Sequence, residues 1–298
     1  MLQWIFKGID DMEYVQFGKT GATVSRLGFG GAALGIKNYI RPYDPAAEES
    51  QESAHKALET ALELGITFFD TSPVYGDGAS ETIFGDVLGG LEQGRIFLAT
   101  KCVPTDYDGV MRSVEGSLKR LRRDYVDLLQ IHGGTYTDER VQKILAPQGM
   151  MDAMKKLQAD GVVRFTGFTS EDNNRAVFNL LECGRFDTVQ LCYNFIFQHP
   201  YESTRPFGSL LAAERRGLGI AAMRAATSGT FQRWMKMIRP DDNFDYGSAL
   251  IQFVFSNPLV DVVLAGMRSP GRVRQNAAVA SDLAGRIDLR ALHRRTAG

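Results

Sequence analysis

Short apolar runs alternate with longer amphipathic stretches along this chain of 298 residues. In the longer stretches apolar side chains recur every three or four residues, as at Ala57, Leu58 and Ala61, which is typical of a helix with one buried face. The short runs are apolar almost throughout, which indicates strands that are covered on both faces. The runs predicted as strands are VSRLGFGGAA from Val24, TFFDTS from Thr67, IFLATKC from Ile96, YVDLLQIHG from Tyr125, RFTGFTS from Arg164, TVQLCYN from Thr188, GIAAMRAA from Gly219 and VDVVLAGM from Val260.

An amphipathic stretch follows each of these runs, which gives eight strand–helix units. Glycines stand where four of the helices should end, as C-cap glycines do, at Gly65, Gly161, Gly184 and Gly217. Eight units at this length predict an α/β fold, the (β/α)8 TIM barrel, as one domain over residues 1–298. An open doubly wound sheet is the alternative, but its G-x-G-x-x-G motif is missing after the first strand, where the chain reads GFGGAALG.

The segment before the first barrel strand, EYVQFGKTGATV at residues 13–24, has the pattern of a β-hairpin around a Lys-Thr-Gly turn. We expect this hairpin to cover the bottom of the barrel. Residues 1–12 show no clear pattern, and we expect a loosely ordered extension, with Met12 as an alternative start.

Charge and composition argue against several classes of protein. The chain carries 34 basic and 35 acidic residues, so it has no overall positive field that would attract nucleic acid. No apolar run approaches the roughly 18 residues of a membrane-spanning helix, and the apolar run near the N-terminus is too short for a signal peptide. Cys102, Cys183 and Cys192 have no metal-like spacing and indicate free thiols in a reducing compartment. We therefore expect a cytoplasmic monomer or weak homo-oligomer without a metal site.

Four polar residues lie at the ends of three consecutive predicted strands. Asp70 ends the second strand and Tyr75 follows it in the stretch FFDTSPVYGDGASE. Lys101 ends the third strand and His132 ends the fourth. Each residue alone has an ordinary explanation as a turn former, a surface aromatic, a rim charge or a core histidine. Because the carboxyl ends of barrel strands meet at one face, the four together predict an active site.

The chemistry that needs these four residue types is proton transfer coupled to attack on a carbonyl group. A free tyrosine has a pKa near 10, and a neighbouring lysine ammonium such as Lys101 favours the phenolate, so that the proton is given up more easily. Asp70 would hold that lysine charged and in place. His132 would donate a hydrogen bond to the substrate oxygen and orient it.

These stretches resemble the aldo-keto reductase family from about Tyr14 to Ala280. FFDTSPVYG resembles one family signature, SVEGSLKRLRRDYVDLLQIH from Ser113 resembles a second, and LATKC places the lysine. The resemblance implies a barrel that binds a nicotinamide dinucleotide across its mouth and interconverts carbonyls and alcohols without a metal. It implies Tyr75 as acid/base, Lys101 and Asp70 as the pair that tunes it, and His132 as the residue that orients the substrate.

The resemblance also implies cofactor-binding positions at the ends of other strands. Backbone at the first strand would approach the nicotinamide ribose, a serine and a glutamine would grip the carboxamide, and a methionine would pack on the ring. An arginine in the following helix would hold the 2′-phosphate of NADP(H). These positions are Gly30, Gly31, Ala32, Ser170, Gln190, Met223, Arg224, Gly266, Met267, Arg268, Ser269, Arg272, Gln275 and Asn276.

Two positions depart from the family pattern. The family usually has Asn after the serine, whereas this chain has Glu171, so the amide contact is lost or moves to Asn173 or Asn174. Where the family often has Y-S-P-L or M-K-P-L, this chain reads MRAA, which puts Arg224 where it could reach a phosphate.

The stretch AGMRSPGRVRQN favours NADP(H), with NAD(H) as the alternative. Ser269 is a good helix N-cap, Pro270 suits the first helical position, and Arg272 lies in the first turn. A helix N-terminus attracts anions, and the fork of an arginine can bond two phosphate oxygens.

Three further hypotheses concern how the protein is used. It could be a nicotinamide-binding sensor subunit without turnover, or an aldose or pyridoxal dehydrogenase that works mainly in the oxidative direction, because LGFGGAALG resembles that branch of the family equally well. The short C-terminal segment SDLAGRIDLRALHRRTAG is expected to pack along the outside and leave the mouth open. The side chains expected to line the mouth are Tyr39, Tyr136, Phe195, Phe197, Phe231 and Trp234.

Overall fold

Eight parallel strands close into a barrel in the computed structural model, which describes residues 12–103, 105–198 and 208–296. A separate two-stranded hairpin precedes the barrel and consists of β1 (Tyr14–Gln16) and β2 (Thr23–Ser25). The barrel strands are β3 (Leu27–Gly30), β4 (Phe68–Asp70), β5 (Phe97–Cys102), β6 (Val126–Ile131), β7 (Val163–Ser170), β8 (Thr188–Cys192), β9 (Gly219–Met223) and β10 (Val262–Gly266). They lie in chain order, and β10 pairs with β3 to close the barrel. The predicted (β/α)8 barrel with its N-terminal hairpin is confirmed.

Helices surround the barrel, and one follows each strand as the sequence pattern predicts. The described helices are α1 (Ala32–Gly35), α2 (Glu48–Glu63), α3 (Ala79–Leu88), α4 (Tyr107–Leu121), α5 (Asp138–Leu145), α6 (Met150–Ala159), α7 (Arg175–Glu182), α8 (Ser209–Arg215), α9 (Thr230–Ile238), α10 (Tyr246–Phe255), α11 (Pro270–Ser281) and α12 (Leu289–Thr296). All four glycines expected to end helices have positive φ angles, between 66° and 79°, as C-cap glycines require.

The hairpin closes the bottom of the barrel with one aromatic side chain. Phe17, at the end of β1, is fully buried, and its ring packs edge-on against Phe68 and Phe97 at centroid distances of 5.3 and 5.5 Å. A Cβ atom at Gly219 would lie 2.8 Å from the Phe17 ring, so only glycine leaves room for this plug. Phe68, Phe97 and Gly219 are each the first residue of a strand, so the Phe17 ring closes the end of the barrel at which the strands begin.

The described part of the C-terminal segment packs on the outside of the barrel. The guanidinium of Arg286 lies 4.6 Å from the ring centroid of Phe255, and the backbone N–H of Ile287 donates to Ser256 Oγ at 2.8 Å. Phe255 and Ser256 stand at the C-terminal end of α10, which is far from the ends of the strands. This part of the segment leaves the mouth open, as expected.

Two helices lie within segments that the sequence pattern left as loops. Helix α5 follows β6 and begins at Asp138, after the N-cap Thr137, whose side chain accepts a hydrogen bond from Arg140 N. Helix α9 follows β9 and has no buried residue, because it rests on the rim of the mouth and not on the core. The expected N-terminal extension (residues 1–11) and part of the loop after β8 (residues 199–207) lie outside the described residues.

Candidate active site

A buried ion pair stands at the carboxyl ends of β4 and β5. The Lys101 ammonium donates to both oxygens of Asp70, at 2.7 and 2.6 Å, and to the backbone oxygen of Thr71 at 2.7 Å. The Lys101 side chain has no exposed surface, and that of Asp70 is 4% exposed. A buried pair is stable only when its remaining hydrogen-bonding capacity is used, and here all three ammonium protons find acceptors.

A glutamine that the sequence pattern did not single out completes this pair. Gln130, in β6, donates to Asp70 Oδ1 at 3.0 Å and to Gln190 Oε1 at 3.3 Å. Gln130 pairs with Lys101 in the β5–β6 register, so both side chains reach the same layer of the barrel. Side chains in a strand alternate between its two faces, so Gln130 lies on the same inward face of β6 as Leu128. This alternation could have predicted that Gln130 points into the barrel.

The ammonium of Lys101 stays charged in this setting. Burial acts to lower the pKa of Lys101, but the opposite charge of Asp70 and the interaction with Tyr75 outweigh burial, so that the pKa is raised. Lys101 is therefore a fixed positive charge at neutral pH, buried beneath the mouth.

The phenol of Tyr75 lies beside this charge. Lys101 Nζ is 5.0 Å from the centroid of the Tyr75 ring, and the ring meets His132 edge-on at a centroid distance of 5.5 Å. Burial raises the pKa of Tyr75 above its ordinary value, while the charge of Lys101 acts to lower it. Lys101 thus acts on the pKa of Tyr75 in the expected direction, but the effect of burial is larger and keeps the phenol protonated.

Backbone contacts fix the loop that carries Tyr75. A Cβ atom at Gly35 would lie 2.2 Å from Tyr75 O, and one at Gly76 would lie 2.0 Å from Gly35 O. Ser80 N also donates to Tyr75 O at 3.1 Å, and Ser80 Oγ donates to Gly31 O at 3.0 Å. Helix α1 and the tyrosine loop are therefore locked together at a distance that side chains at these glycines would prevent.

His132 is neutral and oriented by a serine. Its Nδ1 lies 2.9 Å from Ser72 Oγ. We assign the hydroxyl as the donor, and in that tautomer the ring proton is on Nε2. Burial, with a smaller contribution from the charge of Lys101, lowers the pKa of His132 to about 3. The imidazole can therefore donate a hydrogen bond into the mouth without carrying a charge.

We expect the His132 ring to show no ionisation between about pH 5 and pH 9, because its depressed pKa keeps it neutral across the whole range in which an ordinary histidine titrates. NMR of ¹⁵N-histidine-labelled protein measures this directly, and the His132→Asn variant assigns the signals by their loss. A midpoint near the ordinary histidine pKa in those signals would contradict the neutral assignment.

The glycines at the end of β3 bring bare backbone to the mouth. Gly31 N donates to Asp70 O at 2.7 Å, and a Cβ atom at Gly31 would lie 2.5 Å from Ser80 Oγ. Gly30 and Ala32 are both partly exposed beside it. The predicted contact of these positions with the ribose stays a prediction.

The three residues predicted to surround a nicotinamide ring lie on adjacent strands. Gln190 Nε2 is 3.5 Å from Met223 Sδ; Gln190 lies in the middle of β8 and Met223 is the last residue of β9. Ser170 is fully buried, and its hydroxyl interacts with the backbone of Asp172, donating to the oxygen at 3.2 Å and accepting from the nitrogen at 3.0 Å. The fold thus brings these residues to one sector of the mouth.

Glu171 and Arg224, the two residues that depart from the family pattern, form an ion pair. Arg224 donates to Glu171 Oε1 from Nη2 at 2.5 Å and from Nε at 3.1 Å. Its Nη1 donates to Ser228 Oγ at 3.0 Å. Arg224 was predicted to reach a phosphate, and here its guanidinium is paired with a carboxylate.

The N-terminus of α11 has the predicted cap. Ser269 Oγ accepts from Arg272 N, and Pro270 occupies the first turn. Arg272 is exposed and donates from Nη1 to Gln275 Oε1 at 2.6 Å, while Gln275 Nε2 donates to Asp245 Oδ2 at 2.6 Å. At the strand end before the helix, Gly266 is exposed and Met267 is fully buried.

Arg268 is directed to another part of the rim. Its Nε donates to Ala33 O at 2.7 Å and its Nη2 donates to Tyr39 O at 2.6 Å, while the guanidinium lies 4.2 Å from the ring centroid of Tyr43. Arg268 therefore holds the loop after β3 in place. Its predicted contact with the cofactor stays a prediction.

The aromatic side chains expected to line the mouth separate into two groups. Phe195 packs edge-on against Phe231 at 5.7 Å, and Trp234 is half exposed on α9. Tyr136, in contrast, is only 1% exposed and packs against Phe168, so it belongs to the core. The mouth therefore has an aromatic side formed by the loops after β8 and β9.

Other kinds of site are missing from the described part of the chain. Within residues 12–103, 105–198 and 208–296, no three His, Cys, Asp or Glu side chains are placed to hold a metal ion. None of the helices described there has the length and apolarity needed to cross a membrane. Cys102, Cys183 and Cys192 are all free thiols.

Comparisons with known proteins find relatives along most of this chain. L-galactose dehydrogenase of Arabidopsis thaliana is 27% identical over 91% of this chain and 89% of that protein. Pyridoxal 4-dehydrogenase of Microbacterium luteolum is 27% identical over 87% of this chain and 90% of that protein.

Among solved structures, the aldo-keto reductase AKR11C1 from Bacillus halodurans is similar with a TM-score of 0.75 at 22% identity, over 96% of both chains. An aldo/keto reductase from Klebsiella pneumoniae in complex with NADP and acetate is similar with a TM-score of 0.70 at 24% identity, over 92% of this chain and 91% of that one. These likenesses show the barrel fold.

A sequence model described as the Aldo/keto reductase family matches residues 26–246, which include the ion pair, the tyrosine, the histidine and the strand ends around them. The chain therefore belongs to the aldo/keto reductase family.

Proposed function

We propose that this protein is an NADP(H)-dependent oxidoreductase that interconverts aldehydes or ketones and alcohols. The observation that carries the proposal is the buried Lys101–Asp70 pair beside the Tyr75 ring, with neutral His132 against the same ring. A protonated phenol next to a fixed cation and a neutral imidazole is suited to giving a proton to a carbonyl oxygen.

The residues around the mouth fit a nicotinamide dinucleotide. At one end Gly30 is partly exposed and has no side chain, so a ligand can approach its backbone. At the other end the capped N-terminus of α11 offers N–H groups to an anion. Asn276 Oδ1 is buried without a hydrogen-bond partner among the described residues, so an acceptor is available beside that helix. The similar Klebsiella pneumoniae protein was itself solved in complex with NADP, which also supports the proposal.

When bound, the nicotinamide would supply or accept the hydride. The residues of this chain handle the proton and the substrate. Tyr75 gives its proton to the carbonyl oxygen in reduction, and Lys101 stabilises the phenolate that remains. Asp70 keeps Lys101 in place, and the Nε2–H of His132 donates to the same substrate oxygen and directs it at Tyr75.

Two relatives named as dehydrogenases favour oxidation as a second candidate direction, and both cover most of this chain. The test is a panel of 4-nitrobenzaldehyde, other aldehydes, aldoses and pyridoxal with NADPH and NADH, together with the matching alcohols and the oxidised cofactors. Turnover in either direction supports the enzyme. Cofactor binding without turnover on any of them would support a sensor subunit instead.

We expect Arg272→Ala to raise the Kd for NADPH by about 10–150-fold, because a charge-assisted bond to phosphate is worth roughly 1.5–3 kcal/mol. The Kd for NADH should barely change, since NADH has no 2′-phosphate. Calorimetric titration of both cofactors measures the two constants, and Arg274→Ala, an exposed arginine on the same helix, is the control. Equal losses for both cofactors, or tighter binding of NADH by the wild type, would overturn the NADP(H) assignment.

We also propose that the protein is cytoplasmic and acts as a monomer or weak homo-oligomer. The free state of all three cysteines supports a reducing compartment. Light scattering at micromolar concentration tests the oligomeric state.

A further inference from the structure

The Arg224–Glu171 ion pair joins the two positions at which the sequence departs from the family pattern around the nicotinamide. Arg224 follows β9 and Glu171 follows β7, so the pair spans the end of the intervening strand β8. Asn194, two residues after the end of β8, donates from Nδ2 to the backbone oxygen of Arg224 at 3.2 Å, which ties that strand end to the residue.

The pair is accessible and exchangeable. The Arg224 and Glu171 side chains are 39% and 44% exposed. Ion pairs at such exposed positions are weak, because water screens the charges and both side chains lose conformational freedom. A stronger anion in the mouth can therefore replace the carboxylate of Glu171.

The backbone presents Arg224 in an unusual way. Its φ angle is 59°, in the left-handed region that non-glycine residues rarely adopt, and Ser228 follows with φ of 51°. Strained backbone of this kind tends to occur where function needs a side chain in a particular direction. Here the strain turns the chain at the end of β9, and the hydroxyl of Ser228 accepts from the guanidinium.

The position of Arg224 lies between the two ends of the proposed cofactor site. Met223, directly before it, contacts Gln190 in the sector assigned to the nicotinamide. On the other side, β9 pairs with β10, which leads into the helix of Arg272. A dinucleotide that extends from one end to the other brings its diphosphate past the end of β9.

We propose that Arg224 binds the diphosphate of the dinucleotide and that Glu171 is a competing carboxylate, which holds Arg224 in the free protein and is displaced on binding. This inference rests on the proposed function. It differs from the role of Arg272, because a diphosphate is common to NADPH and NADH, whereas the 2′-phosphate is not.

Calorimetric titrations with four ligands test the proposal: NADPH, NADH, ADP-ribose and 2′-AMP. The first three contain the diphosphate, and 2′-AMP carries only the 2′-phosphate. The variants are Glu171→Gln, Arg224→Gln and the double variant. Arg122→Gln and Asp86→Asn are matched controls, because Arg122 also has a positive φ, 54°, and pairs with Asp86 at 2.5 Å on the surface of the helical layer.

We expect Arg224→Gln to raise the Kd for the three diphosphate ligands by about tenfold, because a charge-assisted contact is lost. Glu171→Gln should lower the same constants by about 2–5-fold, because the competing ion pair is gone. Glu171→Gln should have no effect once Arg224 is Gln. The Kd for 2′-AMP and the controls should not change.

Weaker binding of the diphosphate ligands by Glu171→Gln would overturn the proposal that Glu171 is displaced from Arg224. A tenfold rise in Kd that is confined to NADPH in Arg224→Gln would overturn it too. Unchanged constants in both variants would overturn it as well. If the wild type binds neither NADPH nor NADH, the proposed function itself fails. If it binds them and only the variants disagree, the proposed function stands and the role of the pair is wrong.

Discussion

Replacement of Tyr75 by Phe should abolish most turnover while the cofactor still binds. General acid catalysis by a positioned side chain contributes about 10²–10⁴-fold, so kcat should fall by at least that factor when the only acid is removed. The ring keeps its edge contact with His132 and its place beside Lys101, because Phe lacks only the hydroxyl. The Kd for NADPH, measured by calorimetry, should therefore stay within a few-fold of the wild type.

The control for this prediction is Tyr125→Phe. Tyr125 directly precedes β6, at the end of the barrel opposite the mouth, and its hydroxyl accepts a hydrogen bond from Gly94 N. Loss of this hydroxyl should therefore leave kcat unchanged. Most of the wild-type kcat remaining in Tyr75→Phe would show that another group gives the proton. Loss of cofactor binding would show instead that the hydroxyl has a structural role in the mouth.

The fold could be predicted from the sequence because each strand is a short, doubly covered apolar run. Such runs differ in length and pattern from the amphipathic helices that follow them, and glycines such as Gly161 and Gly184 mark where helices end. The TIM barrel then dictates that Asp70, Lys101 and His132 meet at one face. The placement of these three residues follows from topology, whereas that of Tyr75 depends also on the close contact between its loop and Gly35.

Residues that act through a partner on another strand were not predictable in this way. Gln130 looks like one more polar residue in an apolar run, and only the register with Lys101 shows that it supports Asp70. Arg268 was assigned to the cofactor because it flanks a helix N-terminus. Its side chain also reaches the loop after β3, a contact between distant segments that no local pattern contains, and its predicted contact with the cofactor stays a prediction.

Two helices, α5 and α9, lie in segments that were expected to be loops, and only one of them has a local sequence signal. Thr137 followed by Asp138 and Glu139 is a good helix start, so α5 had a local signal by which it could have been predicted. Helix α9 begins at a glycine with a left-handed backbone and has no side-chain cap. Its position on the rim depends on tertiary contacts such as that between Phe231 and Phe195.

Lys101→Met should lower both activity and stability, for two separable reasons. The variant leaves the Asp70 carboxylate buried with Gln130 as its remaining side-chain donor, and breaking a buried pair by removing one partner costs about 3–5 kcal/mol. Denaturant unfolding at pH 7 should show this loss. Burial raises the pKa of Asp70, so the loss should shrink as the pH falls towards that pKa and the carboxyl becomes neutral.

The double variant Lys101→Met with Asp70→Asn separates the two effects. It contains no unpaired charge in the barrel, so its free energy of unfolding should exceed that of Lys101→Met at pH 7. Its kcat should nevertheless stay about 10²–10⁴-fold below the wild type, because no cation remains to stabilise the Tyr75 phenolate. Recovery of kcat along with stability would mean that Lys101 serves only the fold, and that the proton of Tyr75 is given up without help from its charge.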